Sequence, residues 1–119
     1  MTKNLYHRAD ILKDLKQSFP EIKECLNQEK GLLHMEMSVF HNFIQKKINE
    51  RDENVVRKAF EISAKYYLNG SNKVKGAIDV SVVEGLRFKQ DLWAWEMLPS
   101  CLKEIYIKFH NEKQDTQHF

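Results

Sequence analysis

Turn-forming residues are scarce in this sequence: 119 residues contain four glycines and two prolines. Few positions can therefore break a helix or make a tight turn, and long helices are the natural consequence. The two cysteines, Cys25 and Cys101, stand far apart, with no C-x-x-C pair and no Cys/His run at zinc spacing. Each is expected to be a small buried hydrophobe with a free thiol, as in a reducing cytosol. No apolar run approaches the ~20 residues a membrane span requires, which excludes a transmembrane helix. The N-terminal MTKNLYHRADILKD lacks the apolar segment of a secretory signal, so a cytoplasmic location is expected.

A dominant charge sign is also missing. Nineteen basic and 17 acidic residues leave a net +2. Residues 1–30 carry six basic and five acidic side chains, 31–70 six and five, and 71–119 seven and seven. Nucleic-acid binders draw most of their affinity from a basic stripe, and none is present, so no nucleic-acid partner is expected. Nor is there a P-loop, a G-x-G-x-x-G or a G-x-S-x-G. No enzyme class and no cofactor is indicated.

Five histidines raise the question of a metal. His34 and His41 are seven apart and share a helical face, whereas ligands on one helix converge when three or four apart. His7, His110 and His118 have no sequence partner, and no metal is expected. The carboxylate pairs Asp79/Glu84 and Asp91/Glu96 are each five apart, off a common helical face, and suit solvated or salt-bridged charge better than acid–base chemistry. Glu84 stands out because it lies within SVVEGL, the most apolar run, where a charge is costly unless paired or turned toward a partner.

The material for a core is ample: 42% of the residues are apolar and 11% aromatic. A chain of this length should bury roughly two-thirds of its unfolded surface, enough for one domain without staples. Ile11, Leu12, Leu15 and Phe19 recur at helical spacing and predict a first helix ending before Pro20. Pro20 suits the start of a short second helix, with Ile22, Cys25 and Leu26 apolar and Gly31 as its stop. Leu33, Met37, Phe40, Phe43, Ile44 and Ile48 predict a third helix of about fifteen residues. Asp52 is the expected N-cap of a fourth, striped by Val56, Ala59, Phe60, Ser63 and Tyr67, and Asn69-Gly70 its left-handed C-cap. The third and fourth make an αα-hairpin. Residues 74–83 alternate like a strand and also repeat every four like a helix. A helix over 73–89 is preferred, since a strand would lack partners, and its all-round apolarity makes it central. Leu98, Leu102, Ile105 and Phe109 face inward on a last helix beginning near Pro99. The expected fold is an all-α single-domain bundle of about five to six helices over 1–110, with a frayed polar tail over 111–119.

The run SVVEGL (81–86), followed by WAWEMLPSCLKEIYIKFH (93–110), resembles a pattern in small all-helical bacterial proteins. There an apolar helix with an inward Glu precedes a short linker, a Leu-Pro helix start and an amphipathic Leu/Tyr/Phe helix. Immunity proteins of contact-dependent inhibition and other polymorphic toxin systems are among them. The resemblance covers about the last half of the chain. It implies a non-enzymatic cytoplasmic inhibitor that binds the toxin domain of its own system. Many such toxins are nucleases with basic clefts, against which acidic side chains would give complementarity and fast association. In so balanced a chain any acidic patch must be local, built from Asp79, Glu84, Asp91 or Glu96. Trp93 and Trp95, two apart and unable to face one core from one helix, complete the expected partner interface. The alternative is a regulatory or adaptor helical domain that acts as an oligomer, although a monomer is the simpler expectation.

Overall fold

The computed structural model describes residues 5–29, 31–88 and 91–117, with side-chain surroundings through residue 111. Among the described residues there are seven α-helices and no β-strand. Helix α1 (Arg8–Ser18) starts where the His7 N–H donates to Asp10 Oδ2 at 2.8 Å. It buries Ile11, Leu12 and Leu15. Phe19 leaves helical geometry, as a residue before proline must. A 3₁₀ turn, Pro20–Ile22, leads into α2 (Lys23–Gln28), and Gly31 follows at φ +86, where the missing Cβ avoids a steric penalty. Cys25 departs from expectation and is exposed. So short a helix has one inward stripe, and Ile22 and Leu26, four apart, occupy it.

Helices α3 (Leu33–Asn49) and α4 (Glu53–Asn69) form the expected hairpin. Asp52 caps α4, its carboxylate accepting from the Val55 N–H at 3.3 Å. Gly70 is extended (φ −87, ψ 162) rather than left-handed. It is glycine for space: a Cβ there would collide with the Tyr66 carbonyl oxygen and lie 2.7 Å from Val74 Cγ1. The Tyr6 backbone sits alongside this position, donating to Asn69 O at 2.9 Å and accepting from the Ser71 N–H at 2.8 Å. The start of the chain is thereby tied to the α4–α5 junction.

Helix α5 (Asn72–Ala77) is capped by Ser71 and widens directly into a π-helical segment, Ile78–Val83. There the Glu84 N–H reaches back five residues to Asp79 O at 3.2 Å. The helix expected over 73–89 therefore ends at Val83, and Glu84 stands in the turn beyond it. The π-helical segment packs against α3, α4 and α7, so its central place is as expected. The linker expected after it contains another helix, α6 (Leu92–Met97). Leu98 is extended before Pro99, and α7 (Ser100–Gln117) follows, with the Pro99 carbonyl accepting from the Leu102 and Lys103 N–H groups. With no glycine or proline after Pro99 to stop it, the backbone of the expected tail is helical as far as Gln117. The tail's side chains from residue 112, and its last two residues, lie outside the described residues.

One core joins these helices, with Phe40, Phe60, Leu26, Ile44, Ile78 and Leu102 among its sealed members. One carboxylate is buried with them. Glu36 is 1% exposed and accepts from Arg8 Nε at 2.8 Å and Nη2 at 2.6 Å. The bidentate fork pins α1 to α3. Arg8→Ala leaves that carboxylate buried without a partner and should cost about 3 kcal/mol in urea unfolding. Adding Glu36→Leu to it should recover most of the loss, and a double variant no more stable than Arg8→Ala would refute this account.

Tyr66 is buried on α4, its hydroxyl donating to Asp14 Oδ2 at 3.0 Å and Asp10 O at 3.2 Å. Burial, and then the Asp14 hydrogen bond, hold its phenol well above the ordinary range. The folded pKa exceeds the unfolded one, so this stabilisation is complete below about pH 10 and lost as pH rises further. Tyr66→Phe should cost about 1–2 kcal/mol at neutral pH. It should also flatten the alkaline fall in melting temperature, and an unchanged fall would contradict the assignment.

Candidate partner-binding site

Polar side chains along α3 set the chain that builds the site. His34 Nδ1 lies 2.8 Å from Ser81 Oγ, and His41 Nδ1 2.9 Å from the Val82 carbonyl oxygen. That carbonyl is one of those a helix C-terminus leaves without an internal partner. Gln45 bonds both backbone groups of Arg87: its Oε1 accepts from the N–H at 2.8 Å and its Nε2 donates to the carbonyl at 3.0 Å. A side-chain amide thus replaces the strand partner that residue 87 lacks. Gly85 sits so near α3 that a Cβ would lie 3.3 Å from His41 Cε1. The two histidines on one face are hydrogen-bonding struts. Among the described residues no three His, Cys, Asp or Glu side chains gather as a metal set.

Held this way, residues 84–88 face α7 across a cleft of about 430 Å³, lined by Glu84, Arg87, Phe88, Tyr106, Phe109 and His110 among others. Tyr106, Phe109 and His110 are spaced i, i+3, i+4, so α7 presents them on one face. Phe88, Trp95 and Tyr106 form a triangle of edge-on rings with centroids 5.3–5.4 Å apart. Tyr106 also lies against His110 at 4.1 Å. Burial raises the Tyr106 phenol pKa, so the hydroxyl stays a neutral donor. His110 Nε2 is sealed from solvent and has no hydrogen-bond partner.

The six residues expected at the interface fall into three places. Glu84 lines the cleft, and Trp95 backs it through Phe88 and Tyr106. Leu92, Trp95 and Glu96 share a face of α6, with Leu92 64% exposed and Lys103 Nζ 5.5 Å from the Trp95 ring. Trp93 and Asp91 point to the α3–α4 end. Arg51 lies over the Trp93 ring at 6.0 Å, and Asp91 lines a polar pocket of about 290 Å³ with Gln45, Asn49 and Arg87. The Trp93 indole N–H is buried without a partner. Asp79 is in the π-helical segment on the side of Tyr67, whose phenol is raised by burial and then by Asp79, Cys101 and Glu104. The Cys101 thiol is itself pushed up by burial, which favours the protonated, less nucleophilic form.

From the sequence Phe109 reads as an inward-facing residue of the last helix and His110 as a histidine without a partner, and neither reads as a cleft wall. The signal present was the 106/109/110 spacing. Gln45 carried no sequence signal, since its partner is a backbone 42 residues away. His41→Ala strands the Val82 carbonyl and should cost about 1–3 kcal/mol. It should also speed amide exchange at residues 83–88, and unchanged exchange there would remove His41 as a strut.

No curated protein and no solved structure matches the chain. Residues 12–112, from within α1 to within α7, match the model of a family described as a domain of unknown function (DUF7674). With most of its length so matched, the chain belongs to the DUF7674 family.

Proposed function

We propose that the protein is a helical protein-binding module, most concretely a cytoplasmic immunity protein that neutralises a bacterial toxin domain by direct contact. The observation that carries this reading is the face around α6. Leu92 is exposed to 64%, Trp95 stands beside it, and an aromatic cleft opens behind Trp95. Carboxylates and cations border these groups, with Glu84 and Arg87 on the cleft and Glu96 and Lys103 on the surface. An apolar, aromatic centre within a charged rim is the anatomy of a protein interface. The resemblance of residues 81–110 to immunity proteins supplies the partner class, and the acids are the side chains that would meet a basic toxin cleft.

Glu84 and His110 share the cleft, and a small acid–base enzyme would use such a pair. Nε2 of His110 is closed to solvent, so it is poorly placed to exchange a proton with a substrate. Binding is therefore preferred to turnover. An oligomeric adaptor is the remaining alternative, and light scattering separates it from a monomer.

Co-expression with the toxin domain encoded beside this gene should protect cells and yield a complex. Leu92→Asp and Trp95→Ala should each weaken that complex about tenfold or more. Absence of both protection and complex would overturn the proposal.

A further inference from the structure

Besides the edge that holds Val82 and Arg87, helix α3 has a flank that borders a second cavity. Val39, Asn42, Phe43 and Lys46, spaced i, i+3, i+4 and i+7, line about 340 Å³ against the 3₁₀ turn and α2. Ile22 and Phe43 are buried and, with half-buried Val39, make its apolar floor. Phe19 backs Phe43, their ring centroids 4.9 Å apart, so binding need not order that floor. The rim is exposed and polar, formed by Glu21, Cys25, Asn42 and Lys46. The charge of Glu21 is met within the protein, its Oε2 lying 3.8 Å from Lys47 Nζ. Asn42 and Lys46 stand one turn apart on the rim, and among the described residues neither makes a hydrogen bond or an ion pair.

We infer that this cavity binds a free alkyl carboxylate, a short fatty acid with its hydrocarbon on Ile22, Val39 and Phe43 and its carboxylate at Lys46 and Asn42. Hydrocarbon laid on that floor leaves water. The carboxylate takes a charge-assisted hydrogen bond from the Lys46 ammonium and a second bond from the Asn42 amide, groups that offer only donors or have donors to spare. A cationic ligand gains neither bond, and the one carboxylate on the rim already faces Lys47. The volume lies near the lower end of the range for ligand pockets, which suits a short chain. This flank is separate from the α6 face, and the assignment does not depend on the toxin-binding reading.

Octanoate is the probe. Titrated into the full chain and followed by NMR, it should give saturable shifts at Val39, Asn42 and Phe43. Octanol and octylamine, with the same tail and no anion, should bind at least about fivefold more weakly. Lys46→Gln should weaken octanoate about three- to tenfold. Asn42→Asp should weaken it at least about tenfold, because it sets a like charge beside the carboxylate. Both positions are exposed, so neither variant should lower the melting temperature. Cys25, on the same rim, gives an independent readout: saturating octanoate should slow its alkylation by iodoacetamide severalfold, with half-buried Cys101 as the internal reference. Equal binding of octanol or octylamine, shifts elsewhere, no saturation, or an unprotected Cys25 would overturn the inference. Tighter binding of N-acetyl-leucine than of octanoate would overturn it too, since the occupant would then be a peptide C-terminus.

Discussion

The contact between α3 and the segment that follows α5 carries the rest of the molecule. On its inner face α3 seals Met37, Phe40, Ile44 and Ile48 into the core. Along its edge His34, His41 and Gln45 reach Ser81, Val82 and Arg87 in order. A helix that widens and then stops leaves carbonyls and amides without partners, and those groups need donors and acceptors from outside. The edge of α3 provides them at three heights. The turn at 84–85 and the irregular stretch to Phe88 are fixed as a result, and they form one wall of the aromatic cleft. Buried apolar area drives α3 against this segment, and the hydrogen bonds decide the register in which it settles.

The charges follow the same division of labour. A net +2 conceals 19 basic and 17 acidic side chains dispersed along the chain. One pair, Arg8 with Glu36, is taken partly inside and joins α1 to α3 across 28 residues. Several other cations lie over rings, where they keep their charge in water and cover apolar surface with their stems. Local arrangement, not total charge, therefore decides what each surface can attract.

Helix existence was readable because burial on one face imposes a 3.6-residue period. The stripes on α1, α3, α4 and the start of α7 were visible residue by residue, as was the Asp52 cap. Other features depended on space rather than period. Gly70 reads as a left-handed cap by its neighbours, yet it is glycine because Tyr66 and Val74 crowd it. Cys25 reads as buried, yet Ile22 and Leu26 already fill the inward stripe. The helix expected over 73–89 ends at Val83, and one side chain 42 residues away, Gln45, satisfies the backbone at 87. Of the six expected interface residues, Glu84 and Trp95 meet around the cleft, while Trp93 and Asp91 turn to the opposite end of α6.

The sequence by itself determined an all-α chain with an apolar face on each long helix, since periodicity and the shortage of glycine and proline are local properties. Only the tertiary structure decided that Tyr106, Phe109 and Glu84 share one cleft, that Glu36 is buried against Arg8, and that two histidines serve as struts. Each of those facts joins residues far apart in the chain, and contacts of that kind exist only once the helices have packed.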